Sequence, residues 1–205
     1  VPVASENEVA VPAPTVSSTQ TFETLVVGTS NRGAVSIIKR IADGEEPTPP
    51  IVFIVGCQGV GKTHLVQALL NESAARKDAR RITYMQAEEF MSAYVAGAKA
   101  GDTADLKARI RQSDIVAIDD LQAIKGKEKT EKEFFANIRS AIASGGQVIL
   151  TADETPGDFQ GLSARLRNEL QGAACAEIQQ PDEEMREAIL RKHAGLIAQS
   201  DPNFL

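Results

Sequence analysis

The segment Gly56-Cys-Gln-Gly-Val-Gly-Lys-Thr63 has the residue types and spacing that suit the binding of a nucleotide phosphate. It fits the pattern G-x-x-x-x-G-K-[ST], in which glycines let successive backbone N–H groups face an anion. The helix predicted to follow adds the positive end of its dipole. Lys62 would reach the terminal phosphates, and Thr63 would ligate Mg²⁺. A plain glycine-rich turn is the weaker alternative, because a strand, the loop and a helix occur in the order that the motif requires.

Two adjacent carboxylates, Asp119 and Asp120, follow the apolar run at residues 115–118. A carboxylate at the end of a buried strand, beside a phosphate loop, is suited to hold Mg²⁺ directly or through water, opposite Thr63. The second carboxylate is suited to orient or deprotonate an attacking water. An Asp-Asp pair by itself is often a turn with a helix cap. The nearby phosphate loop therefore favours the catalytic interpretation.

A third candidate group lies in Gln147-Val-Ile-Leu-Thr-Ala-Asp153, where polar residues end another apolar run. Thr151 and Asp153 are candidates to contact the γ-phosphate or the attacking water. The alternative is turn chemistry over residues 153–156, which include a proline. Without the neighbouring motifs, the residue pattern favours neither of these two interpretations over the other.

The turn Gly126-Lys-Glu-Lys-Thr130 places two lysines and a hydroxyl before a predicted helix, an arrangement that suits a nucleic-acid phosphate. From spacing alone, a solvated charged turn is the better interpretation. His64 and His193 lack partners at metal-ligand spacing, and no cluster of cysteine and histidine suggests zinc.

Hydrophobic periodicity predicts that strands and helices alternate along the chain. Strands are predicted over residues 51–55, 82–85, 114–118, 147–151 and 174–178, and helices over residues 31–42, 62–75, 88–95, 103–111, 130–143, 162–170 and 182–198. Gly97 and Gly101 are expected to divide the third helix from the fourth. This alternation implies an α/β fold with a five-stranded parallel sheet covered by helices on both faces. Right-handed crossovers would bring the carboxyl ends of the strands, and with them the candidate residues, to one edge of the sheet.

Composition limits the other classes of function. Residues 1–20 are rich in proline, valine, alanine, serine and threonine, which predicts a flexible linker before a folded unit at residues 21–205. The net charge of −6 argues against a broad basic surface for duplex DNA. Two cysteines are too few for a disulfide framework, so a reducing cytoplasmic location is expected. No stretch is apolar enough to span a membrane.

From Thr21 onward, the chain resembles the AAA+ domain of the DnaA family of bacterial replication initiators. The resemblance rests on the order and spacing of residues 21–32, Gly61-Lys-Thr-His-Leu65, Ile118-Asp-Asp-Leu-Gln122, Gly126-Lys-Glu-Lys-Thr-Glu-Lys-Glu-Phe-Phe135 and Val148-Ile-Leu-Thr-Ala-Asp153. It implies a P-loop AAA+ three-layer sandwich that binds ATP or ADP with Mg²⁺. It also implies slow ATP hydrolysis that depends on oligomer assembly, and nucleotide-controlled assembly on DNA in replication initiation.

The resemblance also assigns roles to individual residues. The residues implied to bind nucleotide are Gly56, Gly59, Val60, Gly61, Lys62, Thr63, His64 and, in the segment that lines the adenine pocket, Val27. The residues implied to contact single-stranded DNA inside an ATP-driven filament are Val95, Lys127, Lys129 and Thr130. The implied partners are ATP, single-stranded DNA, and further copies of the chain or other replication proteins.

The chain departs from the family pattern near Arg165-Leu-Arg-Asn-Glu-Leu170. Glu169 stands where the family's arginine finger would reach the ATP of a neighbouring subunit, and Arg165 and Arg167 are the nearby cations. The family's helical lid and duplex-DNA domain would follow Leu205, so the lid is expected to be absent or truncated. These departures keep two alternatives open, a non-catalytic regulatory paralogue and a helicase-loader ATPase. A small-molecule kinase is disfavoured, because no arginine-rich phosphate lid is visible.

Overall fold

The computed structural model describes residues 16–76 and 80–200, so residues 1–15 of the predicted linker lie outside it. The strands are β1 (Ile51–Val55), β2 (Ile82–Gln86), β3 (Ile115–Asp119), β4 (Gln147–Ala152) and β5 (Ala174–Glu177). The helices are α1 (Arg32–Asp43), α2 (Lys62–Ala75), α3 (Ala87–Ala100), α4 (Ala104–Gln112), α5 (Glu128–Ala143), α6 (Ala164–Leu170) and α7 (Glu183–Ser200). A short 3-10 turn, Leu121–Ile124, follows β3.

The five strands form one sheet in the order β2-β3-β4-β1-β5, and every neighbouring pair is parallel. The predicted five-stranded parallel sheet is therefore confirmed. Because β4 lies between β1 and β3, the carboxyl ends of these three strands meet at one edge. The loop after β1, the acidic end of β3 and the polar end of β4 are thus neighbours in space.

Helices cover both faces of the sheet, as predicted. Alternate residues of a strand point to opposite faces. In β1, Phe53 and Val55 join a core with residues of α3, α4, α5 and α6. Val52 and Ile54 join a second core with residues of α1 and α2. The two cores make the three-layer arrangement.

Helix α3 is longer than predicted, because it continues through Gly97 to Ala100. A Cβ atom at Gly97 would lie only 2.4 Å from the carbonyl oxygen of Asp102, so this glycine permits close approach of the backbone that follows the helix. The helix ends instead at Gly101, whose φ of 74° favours glycine. The predicted end of this helix at residue 95 is therefore wrong.

The first described residues lie along α2. The side-chain amide of Asn71 donates to the carbonyls of Ser17 and Gln20, both at 2.8 Å. Residues 16–25 are here called the strap. Part of the predicted linker, residues 16–20, thus contacts the folded unit. Within the described residues, no helix combines the length and apolar character needed to cross a membrane.

Candidate nucleotide-binding site

The loop between β1 and α2 has the backbone conformation that its glycines permit. Gly59 and Gly61 have φ values of 82° and 103°, which residues with a side chain rarely adopt. Gly56 packs closely against the backbone just after β5, because an added Cβ atom would be 2.4 Å from the carbonyl oxygen of Ile178. Helix α2 begins at Lys62, directly after the loop. Its first N–H groups are available to an anion held by the loop.

Lys62 is almost completely buried, with 6% of its surface exposed, and its ammonium group is turned into the loop. It donates to the carbonyl oxygens of Gly56, at 2.7 Å, and Cys57, at 3.2 Å. It also forms an ion pair with Asp153, whose Oδ1 lies 2.6 Å from Nζ. A buried cation needs such partners. A bound phosphate would compete with Asp153 for this ammonium group.

Asp119, at the end of β3, is the most buried carboxylate of this edge, with 1% of its surface exposed. Its Oδ2 accepts from the Thr63 hydroxyl at 2.7 Å and from the Tyr84 phenol at 3.3 Å. Its Oδ1 accepts a short hydrogen bond from the Thr151 hydroxyl. These donors satisfy both oxygens of a carboxylate that is out of contact with water.

The donor set fits Mg²⁺ held jointly with a phosphate. Thr63 donates its proton to Asp119, so the lone pairs of the hydroxyl oxygen stay available to a cation. Mg²⁺ prefers hard oxygens and commonly takes one or two protein ligands together with phosphate oxygens. Across the described residues, no group of three or more histidine, cysteine or acidic side chains could hold a metal by itself. The residues that could hold such a cation together with a phosphate are therefore Thr63 and Asp119.

Asp120 is held in an unusual conformation beside Asp119. Its φ of 58° and ψ of 55° lie in the left-handed region, which is uncommon for a residue with a side chain. Its backbone N–H donates to the Thr151 hydroxyl oxygen at 2.9 Å, and its Oδ1 accepts from the Gln122 amide at 3.1 Å. Burial, followed by the charge of Asp119, raises the pKa of the Asp120 carboxyl above its usual value. A raised pKa makes this carboxylate a stronger proton acceptor.

Thr151 connects the two aspartates. Its side chain is completely buried, and its hydroxyl donates to Asp119 while it accepts from the N–H of Asp120. The hydroxyl of Thr151 is thus bonded within the protein, where it holds the carboxylate of Asp119 and the backbone of Asp120. Asp153, two residues later, is 38% exposed in its side chain and lies against Lys62.

Sequence reasoning missed Tyr84 and Gln122 as members of this site. Burial, followed by the charge of Asp119, raises the pKa of Tyr84 to about 12. Tyr84 comes from β2, which pairs with β3 at the edge of the sheet. Strand order is not visible in a hydrophobic pattern, so no sequence signal connected Tyr84 with Asp119. Gln122 belongs to the segment Ile118-Asp-Asp-Leu-Gln122, but its hydrogen bond to Asp120 depends on the 3-10 turn that follows β3.

The remaining candidate nucleotide-binding residues, His64, Val60 and Val27, lie in different surroundings. His64 Nε2 lies 3.1 Å from the carbonyl oxygen of Thr21 and 3.2 Å from the hydroxyl of Thr24, so its ring contacts the strap. Burial is the main cause that lowers the pKa of His64. Val60 packs against the core of α1 and α2, and Val27 is 48% exposed before α1.

Two of the candidate DNA contacts share a surface. Val95 is 44% exposed on α3. One turn earlier on that helix, the sulfur of Met91 lies 3.2 Å from Nζ of Lys127. Lys129 is also exposed, whereas Thr130 is buried in α5, with 8% of its surface exposed. The side chain of Thr130 is therefore not part of the surface that Val95 and Lys127 form.

Glu169 on α6 is held by two arginines. The same oxygen, Oε1, accepts from Arg139 of α5 at 3.0 Å and from Arg165 at 3.2 Å. All three side chains line an open cleft of about 410 Å³ between α5 and α6. At the position where an arginine finger was expected, the chain thus has the Glu169 carboxylate, which pairs with Arg139 and Arg165.

Comparison with known proteins agrees with this geometry. Residues 16–177 match the family described as the bacterial DnaA ATPase domain. The chromosomal replication initiator protein DnaA of Sphingopyxis alaskensis is 36% identical over 171 residues, which are 83% of this chain and 38% of that protein. The chain thus spans about two fifths of the length of this curated relative.

Solved structures give the same result. Domain III of the Thermotoga maritima replication initiation protein DnaA matches with a TM-score of 0.84 and 30% identity, over 90% of this chain and 76% of that one. The replication initiator DnaA bound to AMPPCP and single-stranded DNA matches with a TM-score of 0.80 and 30% identity, over 89% of this chain and 56% of that one. The fold is therefore the AAA+ sandwich that the sequence predicted, and the chain belongs to the bacterial DnaA ATPase-domain family.

Proposed function

We propose that this chain is the ATP-binding and Mg²⁺-binding AAA+ domain of a DnaA-like replication initiation protein. The observation that carries the proposal is the 2.7 Å contact between Thr63 and Asp119, beside a phosphate loop that contains the buried Lys62. This contact brings the two oxygen ligands of a nucleotide-bound cation together. Membership in the family, and relatives bound to a nucleotide analogue, support the same conclusion.

In this proposal, the loop N–H groups and Lys62 bind the phosphates. Mg²⁺, when bound, neutralises charge on the phosphate oxygens. Lys62 exchanges its ion pair with Asp153 for the terminal phosphate, which leaves the Asp153 carboxylate free to hold a water molecule. Asp120, whose pKa is raised by burial and by Asp119, orients that water or accepts its proton. Hydrolysis by the isolated chain is slow, because a neighbouring subunit would supply the remaining positive charge.

Calorimetric titration with a non-hydrolysable ATP analogue tests the proposal. We expect saturable binding that weakens when Mg²⁺ is removed with a chelator, because the cation joins Thr63 and Asp119 to the phosphates. Heat of binding that stays absent at millimolar analogue, with or without Mg²⁺, would contradict the proposal.

We further propose that the chain contacts single-stranded DNA through the surface that Lys127 and Val95 form, with Lys129 at its edge. A DnaA relative bound to AMPPCP and single-stranded DNA supports this extension. The exposed ammonium groups suit phosphate contacts, which dominate the affinity of such surfaces.

We expect the double variant Lys127→Ala/Lys129→Ala to bind single-stranded DNA roughly tenfold more weakly at low salt. The slope of log affinity against log salt should become shallower by about 1.4, since each lost phosphate contact contributes about 0.7. Fluorescence anisotropy in the presence of Mg²⁺ and the ATP analogue measures both quantities. Lys39→Ala/Arg40→Ala on α1 is the matched control, because it removes the same charge from another exposed surface. An unchanged affinity and slope in the first variant would remove this site.

Glu169 favours a second candidate function, that of a regulatory paralogue that binds nucleotide but does not complete a neighbour's site. A carboxylate facing the triphosphate of another subunit would repel it, and Glu169 also engages Arg139 and Arg165. In this function the chain would limit assembly, whereas in the first function it would take part in it.

The variant Glu169→Arg separates these two functions. If the chain is a regulator, we expect this change to lower, by about tenfold, the protein concentration at which Mg²⁺ and the ATP analogue induce assembly, because repulsion becomes attraction. Sedimentation velocity with the analogue and with ADP measures this. Glu169→Gln is the control for loss of the ion pairs alone. Analogue-dependent assembly of the unsubstituted chain that Glu169→Arg does not enhance would rule out the regulatory function.

A further inference from the structure

The candidate DNA residue Lys127 is the last residue of a tight turn between the 3-10 turn and α5. Residues 124–127 form a β-turn that is closed by the N–H of Lys127, which donates to the carbonyl oxygen of Ile124 at 3.2 Å. Lys125 has φ and ψ of −51° and 134°, and Gly126 has a φ of 72°, the values of a type II turn. The direction in which Lys127 leaves the turn therefore depends on the conformation of Lys125 and Gly126.

Lys125, the second residue of this turn, is held by side chains from another part of the chain. Its Nζ lies 2.9 Å from Oε1 of Glu154 and 4.6 Å from the centre of the Phe159 ring. Both partners belong to the segment that connects β4 to α6, here called the β4–α6 loop (residues 153–163). Among the described residues, Oε2 of Glu154 is buried without a hydrogen-bond partner, so Lys125 is the group that orients this carboxylate. The side chains of Lys125, Glu154 and Phe159 are here called the clamp.

The core fixes the position of the clamp, and a backbone contact supports it. Phe159 is completely buried and packs edge to face on Phe53 of β1, with the ring centres 6.5 Å apart. The N–H of Gly126, inside the turn, donates to the carbonyl oxygen of Gly161 in the β4–α6 loop at 3.0 Å. The turn is thus held against a loop that is itself anchored in the core.

We propose that Lys125 and Glu154 are positioning residues that hold the turn in the conformation from which Lys127 contacts single-stranded DNA. The inference rests on the proposed DNA surface, since it concerns how Lys127 of that surface is presented. The ammonium group of Lys125 is directed at Glu154 and Phe159, so it acts through the turn and not by contact with a DNA phosphate.

The physical basis is the conformational entropy of a short turn that carries a long side chain. In the clamped turn, Nζ of Lys127 lies 3.2 Å from the carbonyl oxygen of Ala123 and 3.2 Å from the sulfur of Met91. A turn without its clamp samples further conformations, and a bound phosphate must then restore the one that suits binding, which weakens the affinity. A partly exposed ion pair such as that of Lys125 with Glu154 changes an equilibrium by up to about fivefold.

The experiment distinguishes positioning from direct charge by the sign of one effect. Glu154→Gln removes a negative charge close to the DNA surface, so electrostatics alone would tighten DNA binding. Loss of the clamp would weaken the binding, because Glu154 holds Lys125. Glu128→Gln is the matched control, since Glu128 is an exposed carboxylate next to Lys127 that lies outside the clamp. Lys125→Met removes the charge of Lys125 but keeps an unbranched apolar side chain, and Lys125→Arg keeps the charge.

Two measurements are made on each variant. Hydrogen exchange of the Gly126 amide, followed by NMR without DNA or nucleotide, reports on the turn, because this amide donates to Gly161. Fluorescence anisotropy of a labelled oligodeoxythymidylate, with Mg²⁺ and the ATP analogue, gives the affinity for single-stranded DNA and its dependence on salt.

We expect Glu154→Gln and Lys125→Met to speed the exchange of the Gly126 amide about threefold and to weaken DNA binding about threefold. The slope of log affinity against log salt should stay the same in both variants, because neither residue contacts a phosphate. In Lys127→Ala this slope should become shallower by about 0.7. Lys125→Arg should retain both the slow exchange and the affinity, since arginine also pairs with a carboxylate and an aromatic ring. Glu128→Gln should leave the exchange unchanged and should not weaken DNA binding.

Two outcomes would overturn the role of the clamp. One is tighter DNA binding by Glu154→Gln, or a slope shallower by about 0.7 in Lys125→Met, since either result would make Lys125 a direct phosphate contact. The other is unchanged exchange of the Gly126 amide in both variants. Failure of the proposed DNA surface is distinguishable, because the unsubstituted chain would then not bind the oligodeoxythymidylate, while the exchange of Gly126 would still respond to Glu154→Gln.

Discussion

Replacing Lys62 with alanine should lower the affinity of the chain for ATP and ADP by about 100-fold. The ammonium group of Lys62 is buried at the loop, so its charge acts on a bound phosphate with little screening by water. A charge-assisted hydrogen bond to a buried group contributes about 1.5–3 kcal/mol, and 100-fold corresponds to about 2.7 kcal/mol. Calorimetric titration of each nucleotide in the presence of Mg²⁺ measures the change.

The control for Lys62→Ala is Lys39→Ala, because Lys39 is an exposed lysine on α1. Thermal unfolding without nucleotide should accompany the titration, since the substitution also leaves Asp153 without the ion pair seen at 2.6 Å. Asp153 is 38% exposed in its side chain, so water can solvate the released carboxylate and the fold should persist. Equal nucleotide affinity in Lys62→Ala and the unsubstituted chain would mean that the loop does not bind phosphate.

The second large effect is expected at Thr151. Thr151→Val preserves the volume and the β-branched shape within β4 but removes the hydroxyl. Asp119 then loses a donor in a buried place, and the N–H of Asp120 loses its acceptor in a partly buried one. Each unsatisfied buried group costs about 1–3 kcal/mol, so the free energy of unfolding should fall by roughly 2–4 kcal/mol. Urea denaturation without nucleotide or metal measures this loss.

Thr151→Ser separates the hydroxyl from the packing of the methyl group. It should retain the Mg²⁺-dependent affinity for the ATP analogue, whereas Thr151→Val should lose at least tenfold, as expected when an outer partner of a metal ligand is removed. Ser should lose only the stability that belongs to one buried methyl group, about 1 kcal/mol. If Val and Ser have the same affinity and Val is the more stable variant, the bridging role assigned to Thr151 is incorrect.

Much of the fold was predictable because its signals are local. Largely apolar segments of five residues identified β1, β3 and β4 to within a residue of their observed bounds. Helix α3 was predicted too short, since a glycine in a helical pattern was interpreted as a break. At Gly97 the missing side chain instead admits the backbone of Asp102, a contact with a neighbouring turn that the pattern cannot indicate.

Some residues of the candidate site could likewise be predicted from the sequence, and others could not. Lys62 and Thr63 were identifiable as candidates because the loop pattern sets their positions after a strand, and Asp119 because it ends a second apolar segment. The role of Thr151 was not predictable, since it depends on β4 lying between β1 and β3. Tyr84 comes from β2, and it meets Asp119 only in the folded sheet. Thr130, a predicted DNA contact, is buried because the inner face of α5 includes it.

By itself, the sequence determined the class of fold, the phosphate loop and the acidic strand end, because hydrophobic period and backbone freedom act over a few neighbouring residues. Only the tertiary structure decided which polar groups are bonded to each other. The pairs Glu169 with Arg139, Lys62 with Asp153, and Tyr84 with Asp119 all join residues distant in the chain. The physical reason is that buried polar groups must find partners, and strand order and helix packing determine which partners are within reach.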